Sequence, residues 1–430
     1  MIYFVGPLIA FAATVLWVFV LRPLAPQLGL LDIPNERSSH EQPTPLIGGL
    51  AIFLGLICGT LAAVANGILP LDRYTLSLFG GGLLLVAVGV VDDARDLSPG
   101  VRFVAQIIAS LIMIYGGGVV LTDLGRMLPS GGMLYLDWFA VPFTIFATLG
   151  VINALNMCDG LDGLSGTLAL ISLTGLMIVA FVAGGPADSV LLAMLAVSIV
   201  AYLLFNFRLP GRRRALIFMG DAGSMFLGYV LTWFTISLSQ GENRAMVPAA
   251  ALWFLMLPIF DTVSMMLRRL MRGRSPFRAD REHIHHVFLL AGFTVNETVA
   301  VMAAAALIGV GMGLMSMDMR LPEFSIAGLF LICGILYFWM VIRSWKVMRF
   351  IERSICRRRS SSDRRSGVDR RQRSDPAYQG PERRSGSERR QRLRREADRS
   401  RLYMPPEPGR KDDAPTGSEA TASSKPVTRA

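Results

Sequence analysis

The chain has 430 residues, of which 52% are hydrophobic and only 17% charged. A soluble domain carries about 25% charged residues, so composition excludes a soluble globule and requires an integral membrane protein. The net charge of +11 belongs to the C-terminal end: residues 352–430 hold 22 Lys and Arg against 12 Asp and Glu, whereas residues 1–351 hold 21 against 20.

A membrane-crossing helix needs about 20 apolar residues. Eleven stretches qualify, near 2–21, 46–66, 74–91, 103–121, 138–157, 163–183, 188–206, 215–238, 246–266, 298–317 and 325–345. The first lacks a basic segment ahead of it and reads as an uncleaved helix rather than a signal peptide. Polar residues interrupt the join between 138–157 and 163–183. An odd number of spans puts the termini on opposite sides. One set of loops holds 14 arginines, among them Arg22, Arg102, Arg208 and Arg268; the other set holds only 4, namely Arg73, Arg126, Arg244 and Arg320. Positive charge marks the cytoplasmic side. The expectation is an all-α polytopic membrane protein with about 11 transmembrane helices over 1–350, N-terminus periplasmic and C-terminus cytoplasmic, then a disordered basic tail over 351–430. The four cysteines (Cys58, Cys158, Cys333, Cys356) are scattered and make no disulfide framework.

With this topology every polar cluster faces the cytoplasm. In chain order they are "NERSSHEQPTP" (Asn35 to Pro45), "VDDARDLSPGVR" (Val91 to Arg102), "VINALNMCDGLDGLSG" (Val151 to Gly166), "FMGDAGS" (Phe218 to Ser224) and "RADREHIHH" (Arg278 to His286). Polar groups at membrane depth are expensive and mark function by default. A transporter would place them near the midplane and present both faces. This pattern instead describes a site at one membrane surface.

Asp92 and Asp93 are adjacent, so their side chains cannot share one direction. Their like charges call for a cation, a divalent metal or a cationic substrate group; a solvated helix end is the plain alternative. Arg102 suits bidentate phosphate binding or simple membrane anchoring. Asn153, Asn156, Asp159 and Asp162 recur every third residue, and a straight helix cannot present all four on one face. The interleaved glycines suggest a loosened backbone lining a cavity; a polar helix–helix contact is the alternative. Asp221, between Gly220 and Gly223 ahead of an apolar run, suits Mg²⁺ beside a phosphate, or is an ordinary N-cap. His283, His285 and His286 sit beside Arg278 and Arg281. No cysteine is near and the spacing is not that of a helical zinc pair, so phosphate contact is the better reading. Hard oxygen ligands with basic and imidazole groups point to Mg²⁺-assisted phosphoryl transfer at the cytoplasmic surface.

The ordered motifs "PTPLIGGLAIF", "VDDARDLS", "NALNMCDGLDGLSG", "FMGDAGSMFLGY" and "DREHIHH", over about residues 30–300, resemble the polyprenyl-phosphate N-acetylhexosamine-1-phosphate transferases of glycosyltransferase family 4. The resemblance is strongest to the bacterial type that uses UDP-GlcNAc and undecaprenyl phosphate. It implies attack of the lipid phosphate on the sugar-linked phosphorus, giving undecaprenyl-diphospho-GlcNAc and UMP. It further implies Asp221 and Asn156 as ligands of Mg²⁺ (or Mn²⁺ in its place), with Asp92 and Asp93 beside the lipid phosphate, one of them a candidate base. Arg102 would hold that phosphate. Asn153, Asp159 and Asp162 would lie in the nucleotide-binding stretch, and Arg281, His283, His285 and His286 would meet the diphosphate or nucleotide. An aspartate acting as covalent nucleophile is also open. Relatives using UDP-MurNAc-pentapeptide usually carry three consecutive histidines; here Ile284 interrupts them, which favours UDP-GlcNAc over that donor. The same final loop differs in relatives using UDP-QuiNAc or UDP-FucNAc. The implied place is the bacterial inner membrane, at the start of a cell-surface polysaccharide such as O antigen.

The tail has no counterpart in the resemblance. "DRRSGVDRRQR" (Asp363 to Arg373) recurs as "ERRSGSERRQR" (Glu382 to Arg392). Its polarity predicts disorder. Arg357 to Arg359 should attract anionic lipids at about 1 kcal/mol per charge. No aromatics interleave these arginine repeats for base stacking, so nucleic acid is not an expected partner. A homo-oligomer is compatible with everything above. Truncation after Phe350 is expected to leave activity largely intact; loss of activity in a truncated, well-inserted protein would contradict this. The rival class is a non-enzymatic lipid-carrier flippase or scaffold, which would need no metal-type constellation.

Overall fold

The computed structural model describes residues 2–34, 42–212, 214–273, 283–318 and 321–365. Among them lie thirteen α-helices: α1 (Val5–Leu28), α2 (Gly48–Ala65), α3 (Arg73–Arg95), α4 (Pro99–Leu111), α5 (Ala140–Cys158), α6 (Leu164–Val182), α7 (Pro186–Asn206), α8 (Gly220–Ser237), α9 (Pro248–Phe254), α10 (Met256–Met271), α11 (Ile284–Leu290), α12 (Val295–Asp318) and α13 (Glu323–Arg365). A two-residue antiparallel pairing, Leu31–Asp32 with Thr44–Pro45, is the one strand pair among them.

Nine helical segments are long and apolar enough to cross a membrane, and the bent pair α9–α10 makes a tenth if it is one span. Helices also occupy all eleven stretches expected to be spans. The one not counted by apolarity is α8, whose opening Gly220, Asp221, Gly223 and Ser224 dilute its hydropathy. Yet α8 is the heart of the bundle. Every residue in it except Asp221 and Ser237 is buried, and Trp233, Tyr229, Phe226 and Phe234 are among the largest fully buried side chains. Large apolar residues on the outer helices point outward instead: Phe181 is 76% and Ile335 67% exposed, as a lipid-facing surface requires.

Small residues let the helices around α8 come close, the device that replaces the hydrophobic effect between helices in lipid. A Cβ on Gly49 of α2 would lie 2.1 Å from the Gly223 nitrogen, and one on Gly89 of α3 only 2.3 Å from the Ala222 Cα. The segment before α2 then fixes the segment before α8. Phe218 N–H donates to the Pro45 carbonyl at 2.8 Å, and the Gly48 and Gly49 amides donate to the Phe218 and Met219 carbonyls, each at 2.9 Å.

The span expected over 246–266 is not straight. It breaks at Leu255 with a bend of 83° between α9 and α10. Pro258 lies in the first turn of α10, where its missing N–H does least harm. The Phe254 carbonyl freed by the break is taken by the Ser172 hydroxyl of α6 at 2.6 Å, which satisfies backbone polarity at membrane depth.

The helix that crosses residue 350 does not end there. The helix α13 continues to Arg365, fifteen residues into the stretch expected to be disordered. Residues 346–359 contain no Pro or Gly and several arginines, which are good helix formers. Residues 366–430 lie outside the described residues.

Candidate active site

The C-terminal ends of α3, α5 and α10 and the N-terminal ends of α4, α6 and α8 meet at one end of the bundle, and the polar side chains of four sequence motifs converge there. The adjacent carboxylates do diverge, as their shared backbone requires. Asp92 is buried and turns to its own helix end: it accepts from the Leu97 amide at 2.7 Å and from Arg102 Nη1 at 3.1 Å. Asp93 crosses to α8 and accepts the Asp221 and Ala222 amides at 2.8 and 3.3 Å. Asp93 thereby supplies, from another helix, the cap that the start of α8 lacks locally. Asp221 is not an N-cap, the plain alternative for it. It lies inside the first turn, and Gly220 before it sits at φ +72°.

Asp221 is freed for the site. Its Oδ2 faces Arg102 Nη1 at 3.2 Å, and its Oδ1 accepts from Asn156 Nδ2 at 2.6 Å. Asn156 also donates to Ser224 Oγ at 2.9 Å. One arginine, whose side chain is 31% exposed, therefore bridges two acids while a third stands behind them on the α8 amides. Within that bridge Asp92 is buried, so Asp221 and Arg102 are the pair left part-exposed.

The four residues spaced by three go to four different partners. Asn153 and Asn156 are on α5, which ends at Cys158; Asp159 and Asp162 are in the turn that follows. Asn153 donates to Gln106 Oε1 of α4 at 2.8 Å. Asp159 accepts from the Ser165 hydroxyl at 2.5 Å. Burial, then the nearby Asp221 and Asp162 charges, push the Asp159 carboxyl up to about 7. Because this is above the unfolded value, Asp159 costs no stability below about pH 4. Its cost grows as pH rises and is complete above about 7. Thermal melting between pH 4 and 8 should show this decline, and Asp159→Asn should flatten it.

Asp162 is buried and engaged away from this cluster. It accepts from Arg208 Nε at 2.7 Å and from the Ala215 amide at 3.2 Å, tying the loop after α7 to the turn. Removing the partner of a buried charge is costly, about 3–5 kcal/mol for a fully buried pair; the partly exposed Arg208 discounts that. Arg208→Ala is expected to lower the melting temperature more than the double variant Arg208→Met with Asp162→Asn, which leaves no unpaired charge.

The histidine segment closes the site. His283 Nδ1 lies 2.8 Å from Asp261 Oδ2 of α10. The His283 and His285 rings are parallel to within 4° at 5.5 Å, and His286 adjoins His285 at 4.3 Å. His285 packs on the 159–163 turn so closely that a Cβ on Gly160 would be 2.8 Å from its Nε2. Neither ring nitrogen of His285 has a hydrogen-bond partner among the described residues. Burial, then the neighbouring histidines, hold its pKa well below the usual value. It is a neutral imidazole with a donor and an acceptor unspent. Arg281, Arg278 and His40 lie outside the described residues.

Three contributors were not singled out from sequence. Asp261 is an acid inside an apolar run, and that was a readable signal. Ser165 stands in the Asn/Asp/Gly stretch without marking itself out, and Gln106 lies in no motif; only contact reveals their parts.

Among the described residues no three His, Cys, Asp or Glu side chains are gathered to close round a metal ion. Those described residues offer no all-protein cage for zinc or calcium. A Mg²⁺ ion asks for less: it keeps several waters and takes one or two carboxylates plus substrate phosphates. Asp221, part-exposed beside the Asn156 amide, fits that demand.

A bundle of apolar helices with acids, an arginine and imidazoles gathered at one end defines an integral membrane protein with a polar site at one end of its spans. The comparisons agree. The family model described as glycosyl transferase family 4 matches residues 75–239, which hold both aspartate motifs and the Asn/Asp/Gly stretch. The chain is 35% identical over 328 residues to the undecaprenyl-phosphate alpha-N-acetylglucosaminyl 1-phosphate transferases of Yersinia pestis and Escherichia coli K12, covering 76% of this chain and 88% of theirs. It is 34% identical to the enzyme of that name from Haemophilus influenzae, over 76% of this chain and 91% of the other. The chain belongs to glycosyl transferase family 4.

Proposed function

We propose that this protein transfers GlcNAc-1-phosphate from UDP-GlcNAc to undecaprenyl phosphate, releasing UMP, at the cytoplasmic face of a bacterial inner membrane. It would open the assembly of a cell-surface polysaccharide. The observation that carries the reading is the cluster at the start of α8, in which Arg102 bridges Asp92 and Asp221, Asn156 binds Asp221, and Asp93 holds the first amides of the helix. The names of the relatives supply the substrates.

Asp221 and Asn156 would hold Mg²⁺. When bound, it would neutralise the donor diphosphate and polarise the phosphorus under attack. Arg102, part-exposed and held by two acids, would orient the lipid phosphate. A phosphate monoester loses its second proton near pH 6, so the nucleophile is charged without help from a base. An oxygen of the lipid phosphate bonds to the sugar-linked phosphorus. The bond from that phosphorus to the bridging oxygen breaks, and UMP departs with the electron pair. Asp93 would act on geometry, by holding the first turn of α8 and with it Asp221. His285 and His286 would donate to diphosphate oxygens, and His283 would meet the nucleotide. Positioning and charge neutralisation then carry the rate.

The test is UMP release by purified protein with undecaprenyl phosphate and Mg²⁺, offering UDP-GlcNAc, UDP-GalNAc, UDP-QuiNAc and UDP-MurNAc-pentapeptide separately. Release from UDP-GlcNAc that stops on chelation of Mg²⁺ is the expected result. Release from another donor alone would keep the chemistry and overturn the sugar. No release from any donor by folded protein would favour a non-enzymatic role.

A further inference from the structure

Besides the carboxylates around Arg102 and the Asp162 paired with Arg208, this end of the bundle buries a further acid, Asp261. Asp261 of α10 is 1% exposed. A carboxylate at this depth is costly unless its oxygens are satisfied, and three donors satisfy them. His283 Nδ1 lies 2.8 Å from Oδ2; the Ile284 amide and the Tyr337 hydroxyl donate to Oδ1 at 3.2 and 3.1 Å. Two of the three belong to the histidine segment at the start of α11. The third comes from α13, 76 residues along the chain. Asp261 lies behind His283, with no place in the cluster around Asp221.

The donor pattern has a chemical consequence. A carboxylate only accepts, so the hydrogen between Asp261 and His283 is on Nδ1. That leaves Nε2 as the nitrogen offered to a ligand, with a lone pair that accepts a hydrogen bond. An outer partner of this kind fixes both the tautomer and the ring plane of the group it serves. Stacking against His285 fixes the plane a second time.

We propose that Asp261 is a positioning residue: acting through His283, and itself held by Tyr337, it presents the His283 Nε2 lone pair to an O–H or N–H group of the nucleotide-sugar donor. This rests on the reading of the histidine segment given under Proposed function. It also gives α13 a part in the site, since Tyr337 steadies the carboxylate from the last helix.

The experiment uses the full chain with undecaprenyl phosphate, Mg²⁺ and UDP-GlcNAc, and measures kcat and both KM values in a double-mutant cycle. Asparagine at 261 has one accepting oxygen and one donating nitrogen. It cannot serve Ile284 and Tyr337 while also accepting from Nδ1, so the His283 tautomer is inverted. Asp261→Asn is expected to lower kcat/KM for the donor about 10–100-fold, the usual cost of losing such a partner, with the lipid KM unmoved. In a His283→Ala background the same change should cost less than about twofold, because a positioning residue has nothing left to position. Equal losses in the two backgrounds, or a lipid KM that moves as much as the donor KM, would overturn the proposal. Where Asp261→Asn gives no folded protein, Tyr337→Phe carries the same cycle, with a smaller loss that must also vanish without His283. A wild-type protein that releases no UMP would sink the functional reading itself, a result separate from either failure.

Discussion

Asp221→Asn is expected to cut UMP release by about 10²–10³-fold while leaving thermal stability nearly unchanged. The size follows from losing one preorganised electrostatic element of a phosphoryl-transfer site. The unchanged stability follows from position. Asp221 does not cap α8, because Asp93 does that through the Asp221 and Ala222 amides. An asparagine fills the same volume and keeps one accepting oxygen for Arg102 or Asn156, at a site that is only part-buried. What it cannot do is carry the charge that a divalent ion or the Arg102 guanidinium answers. Two controls read the cause. If Asp221 holds Mg²⁺, the variant should need more Mg²⁺ for half-maximal rate, whereas the KM for undecaprenyl phosphate should shift only modestly. A variant as active as the parent would contradict the metal assignment and reopen a scaffold role.

The spans were legible because apolar runs of about 20 residues leave a chain few other folds. Motifs brought to one end of the bundle were legible because arginines mark loop ends. Partners were not legible, and the reason is sequence distance. Asp162 answers Arg208 from 46 residues away, and Asp261 answers Tyr337 from 76. A carboxylate in a motif looks equally available whether it faces a substrate or a distant arginine. The Asn/Asp/Gly repeat looked like four converging ligands. Instead a helix end falls in its middle, sending Asn156 to Asp221 and Asp162 to the loop after α7. Local rules also misled at α8. An acid ahead of an apolar run normally caps its own helix, but here the cap comes from α3. The bend at Leu255 was hidden in a run that hydropathy reads as continuous, although Pro248 and Pro258 stood at the starts of its two halves.

Gly220→Ala is the substitution expected to damage the site most for the least chemical change. Gly220 adopts φ +72°, and a left-handed backbone costs a residue with a Cβ about 1–2 kcal/mol. The methyl has no room. It would stand 2.5 Å from Asp93 Oδ2 and 3.0 Å from its Cγ. Asp93 cannot swing away freely, because its two oxygens hold the Asp221 and Ala222 amides and α3 is pressed onto α8 at Gly89. The first turn of α8 must therefore shift, carrying Asp221 away from Asn156 and Arg102. A displacement of about 1 Å in a positioned group can lower turnover 10²-fold. The expected result is a loss of that order in kcat, with a melting temperature lowered by the strain but a protein still folded. Asp93→Ala in the Gly220→Ala background gives the decisive comparison. If the clash with Asp93 is the cause, removing that carboxylate should restore part of the lost melting temperature, leaving only the backbone cost. No recovery would mean that the left-handed conformation alone, and not the contact between α3 and α8, makes glycine necessary at this position.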